Sequence, residues 1–501
     1  MNLANNLERS SLFFGDQVAV IDGDARITYS ELNEQSGRAA SGLRSIGIKP
    51  GDMVALCAPN SAQWLAFYFG VLKCGAVAVT LSSLLSPQEL TLLLSHSRPK
   101  VVFTTGDRLA TIAPRKQDFG TENIIHPEGD LSFETLLRKG GSAMAPLERD
   151  PDDTACVLYT GGTTGMPKGV LLSHENIITA AHNVVYCERS THEDRALCFL
   201  PFNHVFGQMH IMNASVYSGG GLVLMPGFDM EKALKAISDH SVTKLFAVPT
   251  VYVRLLQLDR LKERLGPVRY CFSAAASMAR EVVIQWREAT GLKIHEAYGM
   301  TETASLVTYN HYYRHKVGSV GTPVGSTEVS IRDSEGNQLP NGSTGEICIR
   351  GRNVMKGYLG NPEATAEAFH DGWLRSGDVG YVDEEGYLFI VDRIKELIIT
   401  GGENVYPREV EEVLFQRAEV AECAIIGLPD PEYGERVAAY IVPKPGETPD
   451  PAELKMFCKE RLAPFKVPKE FRIVTSLPTS AAGKILKREL KKQVIEERKK
   501  D

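Results

Sequence analysis

Ala155-Cys156-Val157-Leu158-Tyr159-Thr160-Gly161-Gly162-Thr163-Thr164-Gly165-Met166-Pro167-Lys168-Gly169 is the stretch that decides how this chain is read. The run Ala155–Leu158 is apolar and short, the pattern of a buried strand. It enters a loop dense in glycine and threonine that ends on Lys168. Glycines let backbone N–H groups curl toward an anion, threonine hydroxyls add donors, and the lysine adds a point charge. A polyphosphate needs that set of groups. The spacing is not that of the common nucleotide loop G-x-x-x-x-G-K-[ST], because Gly169 follows the lysine and Pro167, not a glycine, stands just before it. Taken alone, the stretch also fits an ordinary Gly/Thr turn.

Five more motifs follow in order: Tyr298-Gly299-Met300-Thr301-Glu302-Thr303, Ser376-Gly377-Asp378, Asp392-Arg393-Ile394-Lys395, Gly401-Gly402-Glu403-Asn404-Val405-Tyr406-Pro407, and Thr479-Ser480-Ala481-Ala482-Gly483-Lys484. Together with the first loop they resemble the signature set of the adenylate-forming superfamily, which holds acyl-CoA synthetases, firefly luciferase and peptide-synthetase adenylation domains. The resemblance runs from about Ile27 to Leu490. In look it is nearest to fatty-acyl and medium-chain acyl-CoA ligases, with segments like those of malonyl-CoA synthetases.

Bulk properties narrow the alternatives. A chain of 501 residues exceeds one ordinary core, so two or three domains are expected. The net charge of −7 argues against a nucleic-acid footprint, which would be basic. The N-terminus lacks a basic start followed by an apolar core, so no signal peptide is expected, and no run of eighteen apolar residues predicts a membrane-spanning helix. The nine cysteines are scattered singly, without C-x-x-C pairs, which suits reduced thiols in a cytoplasm.

Apolar runs such as Val101–Phe103, Leu222–Leu224 and Leu245–Val248 alternate with amphipathic stretches, which indicates layered α/β structure. Glu346–Arg350 and Tyr387–Val391 read as strands in a more β-rich part. After Asp392 the pattern restarts as a small unit: a helix over Pro407–Leu414, strands at Ala424–Gly427 and Arg436–Val442, a helix from Pro451 to about Leu462, and a strand near Phe471–Val474. The expected fold is α/β. A large N-terminal domain, residues 1–391, would hold layered sheets and a small β-barrel-like part. A hinge at 392–395 and a small mobile α+β domain at 396–501 would follow. The cut at the hinge rests on the resemblance.

Each motif residue also has a physical reading. A carboxylate such as Glu302 beside a polyphosphate is repulsive unless a divalent cation lies between them, and magnesium takes one or two protein carboxylates plus phosphate oxygens and water. Asp378 sits among glycines that permit close backbone approach, where a carboxylate can accept both hydroxyls of a ribose. His204, in Leu200-Pro201-Phe202-Asn203-His204-Val205-Phe206-Gly207, would by itself be a packed core histidine. Lys484 follows a glycine, unlike Lys487, Arg488, Lys491 and Lys492, which read as a solvated basic helix.

The resemblance implies specific roles. Glu302 holds magnesium, and Tyr298 flanks adenine. Asp378 and Arg393 hold ribose. His204 lies beside the carboxylate being activated. Lys484, Thr163 and Lys168 act on the phosphates, and Lys395 is the hinge. Gly401 and Gly402 line a pantetheine channel. The nucleotide site also takes in Thr160, Gly161, Gly162, Thr164, Gly165, Ala275, Ala276, Ala297, Gly299, Met300 and Thr301. His204, Arg254, Ala275 and Gly299 shape the acyl pocket. The implied reaction joins a carboxylic acid, ATP and coenzyme A, with Mg2+, in an AMP-forming acyl-CoA ligase. A carrier-protein acceptor and a silent nucleotide-binding regulator are the alternatives. No carrier domain follows Asp501, so free coenzyme A is the expected acceptor; a homodimer is compatible with the resemblance.

The chain departs from the family in places. Ser273-Ala274-Ala275-Ala276-Ser277-Met278 replaces a strand end that usually reads Ser-Gly-Gly/Ala-Ala-Pro, and its extra methyl groups are expected to narrow the pocket. Gly161 stands where many members have serine, and this glycine form is common in fatty-acyl ligases. Ile399 stands where luciferases carry a second lysine, which argues against light emission. Val248–Leu256 is similar to malonyl-CoA synthetases, in which an arginine helps hold the distal carboxylate. Arg254 matches it, but its expected basic partner is Ala297. A monocarboxylate therefore ranks above a dicarboxylate.

Overall fold

The computed structural model describes residues 1–160, 167–276, 278–479 and 485–498. Its strands form four sheets among these residues. One has seven strands, in the spatial order Gly357–Tyr358, Lys168–Ser173, Thr154–Thr160, Val77–Thr80, Met53–Cys57, Val101–Thr104 and Asn123–Ile125. A second, of nine strands, has a parallel centre of Ile294–Met300, Tyr270–Ser273, Lys244–Ala247, Arg195–Cys198 and Gly221–Leu224. The strands expected at Val101, Leu222 and Leu245 are these buried parallel ones. Their short apolar runs follow from having both faces covered.

Helix Ala62–Lys73 shows how the layers close. Its sequence AQWLAFYFGVLK is buried at every position but Gln63, because it lies inside the core and not on its rim. It packs against helix Tyr29–Ser45 so closely that a Cβ on Gly70 would sit 2.7 Å from the Ala39 Cβ. Glycine is what permits that approach. The one cation in the helix, Lys73, is buried and is matched by the Glu8 carboxylate and the Asn33 side chain, as a buried charge requires.

The part expected to be barrel-like is a five-stranded antiparallel sheet of Thr327–Arg332, Gly345–Gly351, Trp373–Val382, Phe369–His370 and Leu388–Arg393. Its last strand ends at Arg393. A single turn, Ile394–Glu396, leads into the fourth sheet, of Glu403–Val405, Ile398–Thr400, Gly434–Pro443, Val420–Asp430 and Glu470–Ile473. Helices Pro407–Leu414 and Pro451–Lys459 cover one face of that sheet, and helix Lys487–Arg498 covers the other through Leu490 and Val494. The chain is thus a large α/β body with a small C-terminal α+β body.

All nine cysteines are buried and unpaired. Among the described residues no helix is long and apolar enough to cross a membrane.

Candidate active site

Parallel strands end on one side of their sheet, and ligands in α/β folds bind beyond those carboxyl ends. Here the ends of Arg195–Cys198, Tyr270–Ser273 and Ile294–Met300 converge with the end of Thr154–Thr160 on a cavity of about 1040 Å³. The small body forms its opposite wall, with Ile426, Glu435 and Lys487.

The glycine-rich loop is carried by two paired strands. Thr154–Thr160 and Lys168–Ser173 run antiparallel, with Thr160 opposite Lys168. Both residues line the cavity, so the stems deliver the loop to it. Gly161, Gly162, Thr163, Thr164 and Gly165 lie outside the described residues. The Lys168 ammonium is 4.6 Å from the centre of the Tyr358 ring.

The Tyr-Gly-x-Thr-Glu motif is a tight hairpin between Ile294–Met300 and Ser305–Tyr309, closed by the single turn Thr301–Thr303. A Cβ on Gly299 would fall 1.6 Å from the Ser305 carbonyl oxygen, so the hairpin admits only glycine there. The Asn353 amide clamps it by donating to the carbonyls of Thr303 (2.9 Å) and Leu306 (3.0 Å). The turn brings Glu302 to the cavity with its side chain largely buried. Burial raises its carboxyl above the usual range, while the Tyr358 hydroxyl, donating to Oε1 at 3.0 Å, pulls it back.

Asp378 and Arg393 face each other across adjacent strands, in register. The Arg393 Nε lies 3.0 Å from Asp378 Oδ1, and the Tyr298 hydroxyl donates to Oδ2 at 2.6 Å. Asp378 is buried while the Arg393 side chain is half exposed, so a carboxylate and a guanidinium line the cavity together.

Elsewhere on the cavity wall, His204 Nδ1 accepts from the Phe206 amide at 3.2 Å, which leaves Nε2 to carry the proton of a neutral ring. The next turns, Phe206–Asn213, are π-helical, a geometry that concentrates at functional sites. Ala275 lines the cavity with φ of 71°, a left-handed conformation that suits glycine. Glycine at this position would therefore be free of strain, and the alanine here is strained. Ala297, Met300 and Thr301 also line the cavity, as does Lys395.

Other predicted residues lie elsewhere. Ala276 is half buried but is not among the lining residues. Arg254 is exposed on helix Pro249–Leu255, outside the cavity lining, and its charge acts on Glu422 of the small body. Gly401 and Gly402 form an exposed turn with φ of 60° and 85°, likewise outside the lining. Lys484 lies outside the described residues. Lys487 corrects the sequence reading. It is not a solvated surface lysine: its ammonium is mostly buried at the cavity, 2.8 Å from Glu411 and 3.3 Å from Glu396, and the two carboxylates raise its pKa against the opposing effect of burial. The sequence also gave no sign of Tyr358, His210 or Ser305, which reach the cavity from distant segments.

The description "AMP-binding enzyme" matches residues 7–359, and "AMP-binding enzyme C-terminal domain" matches 409–484. The chain is 34% identical over 534 residues to a long-chain-fatty-acid–CoA ligase of Bacillus subtilis (strain 168), covering 99% of this chain and 95% of that protein. It is 36% identical over 485 residues to a feruloyl-CoA synthase of an Amycolatopsis species, covering 95% of each. The ATP-bound structure of MatB from Rhodopseudomonas palustris superposes with a TM-score of 0.92 at 34% identity, covering 98% of this chain and 99% of that one. With both halves matched and the motifs gathered around one cavity, the chain belongs to the AMP-binding enzyme family and is an AMP-forming acid–CoA ligase.

Proposed function

We propose that the acid is a monocarboxylate, that magnesium accompanies ATP, and that the small body carries the lysine of the first half-reaction. The observation that carries this reading is the common cavity. Glu302, Asp378, Arg393 and His204 line it, and at about 1040 Å³ it has room for a nucleotide and an acid side by side. Asp378 and Arg393 supply an acceptor and a donor for ribose hydroxyls. Thr160 and Lys168 hold the phosphate loop at the opposite rim. Arg254, the candidate for a second carboxylate, is exposed and is not among the residues lining the cavity, which supports a monocarboxylate.

The donor set fits magnesium. Among the described residues no group of three metal-ligating side chains occurs. One buried carboxylate at the phosphate end is what a cation held mainly by phosphate oxygens and water requires. When bound, the ion offsets phosphate charge, and Glu302 would hold it. A carboxylate oxygen of the acid attacks the α-phosphorus, and the bond to pyrophosphate breaks. The thiol sulfur of coenzyme A then attacks the acyl carbon, the bond to AMP breaks, and the thiol proton passes to solvent. The protein orients the reactants and places charge where it develops. His204 sits beside the reacting carboxylate, and Lys484 bridges it to the α-phosphate. The segment 392–395 is the hinge between the bodies at 1–391 and 396–501, and Gly401–Gly402 serve the pantetheine arm after rotation. The buried unpaired thiols support a reducing, cytoplasmic setting.

Pyrophosphate release is the test, measured with short, medium, long, aromatic and dicarboxylic acids, each with and without coenzyme A. Release with monocarboxylates, and thioester with free coenzyme A, are expected. Malonate exceeding every monocarboxylate in kcat/KM overturns the assignment of the acid. Thioester formed only on a carrier protein overturns that of the acceptor.

A further inference from the structure

Behind the acid end of the cavity runs a line of buried polar side chains that acid activation does not use. Ser305 and His210 both line the cavity. The Ser305 Oγ and His210 Nδ1 are 3.1 Å apart, and His210 Nε2 is 2.7 Å from Glu188 Oε1. The Lys244 ammonium donates to Glu188 Oε2 at 3.0 Å and to Ser190 Oγ at 2.5 Å, and lies 3.8 Å from Asp194. Asp194 pairs at 2.9 Å with Arg269, whose side chain is 55% exposed. The line therefore leads from the protein surface to the cavity wall, through His210 and Glu188, each 2% exposed.

The surroundings of His210 are apolar. Its ring centre lies 4.3 Å from that of Phe272 and 5.4 Å from that of Phe206. Buried ions in such a place cost free energy unless fully paired, and aliphatic residues of similar size do as well or better for stability alone. An alkyl tail ending against Ser305 would leave the remaining hydrogen-bonding capacity of its hydroxyl buried and unused, which disfavours that tail relative to one carrying a polar group. Burial pushes Glu188 up, but Lys244 and His210 outweigh it and hold the carboxylate charged. The His210 Nε2 therefore carries the proton between them. Nδ1 therefore accepts from the Ser305 hydroxyl. A hydroxyl has one donor and two acceptor positions, so acceptor capacity toward the cavity remains.

We propose that Ser305, positioned by His210 and Glu188, recognises the far end of the acid, so that the preferred substrate is a monocarboxylic acid bearing an uncharged hydrogen-bond donor, such as a hydroxyl, on its tail. This rests on the ligase reading above and names its substrate class. A second carboxylate fits less well, because Glu188 already supplies the negative charge beside His210 and would meet it across one imidazole ring. Ser305 is the specificity residue; His210, Glu188 and Lys244 are positioning residues.

The test uses matched acids with the full-length enzyme: pentanoate against 4-hydroxypentanoate, benzoate against 3- and 4-hydroxybenzoate, and malonate and succinate as diacids. The hydroxylated acid is expected to exceed its plain partner in kcat/KM by about tenfold or more in at least one series, the scale of a single pocket contact. Ser305→Ala should bring that ratio down toward one, and Glu188→Gln should lower it by loosening the imidazole. Should Ser305→Ala fail to fold, Ser305→Cys, with a weaker acceptor of similar shape, reads the same ratio. Plain acids preferred in every series, a diacid preferred over all, or a Ser305 variant that lowers both partners equally overturns the proposal while leaving the ligase reading intact. Absence of pyrophosphate release with every acid instead removes the ligase reading on which it rests.

Discussion

The Tyr358 hydroxyl donates to the Glu302 carboxylate at 3.0 Å, and the Lys168 ammonium stands 4.6 Å over the same ring. One side chain thus joins the base of the phosphate loop to the acidic residue across the cavity. Burial raises the Glu302 carboxyl, and the Tyr358 hydrogen bond is one of the effects that lower it. In Tyr358→Phe the charged form loses that support, so the acid limb of the activity profile should move to higher pH. The direction follows from removing a hydrogen bond that favours the charged carboxylate. Glu302→Gln should depress pyrophosphate release and weaken its dependence on magnesium, while chelation silences the wild type. Unchanged magnesium titration in Glu302→Gln removes Glu302 from the site.

Glu296 gives stability a pH dependence of its own. Burial carries its carboxyl up to about 8, and Oε2 has no hydrogen-bond partner. Arg408 and Arg280 pull it down, and Glu412 pushes it up. The folded protein keeps this proton to about pH 8, whereas the unfolded chain loses it near the usual glutamate value. Between those limits the native state binds more protons, so stability falls as pH rises and then levels off. From pH 6 to 8 the loss is on the order of 2 kcal/mol. Thermal unfolding across that range should show the slope in the wild type and a flatter one in Glu296→Gln. Equal slopes would assign the effect to another group.

Legibility in the sequence divides along chain separation. Helix Pro407–Leu414 was readable because its proline at the first turn and its apolar spacing are local signals, and it occurs over those residues. Helix Pro451–Lys459 is shorter than the expected end near Leu462, because the chain turns at Glu460 and Arg461 ahead of Pro464. Glu302, Asp378 and Arg393 were readable because each sits in its own short motif. Tyr358 was not, since it meets Glu302 across 56 residues with no motif around it. His210 and Ser305 are 95 apart and meet only when a π-helix and a hairpin pack together. Lys487 was misread because its neighbours in sequence are basic, while its partners Glu396 and Glu411 arrive from the turn and helix of the small body.

Ala275 is a place where the chain pays conformational strain, with φ of 71°. A left-handed conformation costs an L-residue roughly 1–2 kcal/mol. Ala275→Gly removes that cost but makes the unfolded chain freer by about 0.4–1 kcal/mol. A net gain of about 0.5–1 kcal/mol follows, visible as a small rise in the thermal midpoint. Because Ala275 lines the cavity, the lost methyl group should also favour bulkier acids relative to slender ones, within the roughly 10–200-fold that one methyl group commands. A lower midpoint together with an unchanged acid profile would separate Ala275 from both effects.

Lys484 should serve the first half-reaction alone. Thr479 and Ile485, on either side of its segment, pair in an antiparallel bridge, and Lys487 pins the start of the terminal helix to Glu396 and Glu411, beside the proposed hinge. On the proposed function, a rotation about 392–395 would carry Lys484 away once the AMP ester has formed. Its charge would then be useful while the α-phosphate is attacked and absent while the thiol attacks. Lys484→Ala should slow acyl-adenylate formation by roughly 10²–10³, the scale of a lost electrostatic contact in the transition state. Given synthetic acyl-adenylate and coenzyme A, the same variant should form thioester near the wild-type rate. Lys395→Pro should show the reverse, since a stiffened hinge blocks rotation and leaves charge placement alone. Lys487→Met strands two carboxylates at the hinge and should slow both steps, which separates a loss of anchoring from a loss of chemistry. If Lys484→Ala slows both half-reactions equally, either its part is structural or the two-conformation scheme does not apply to this chain.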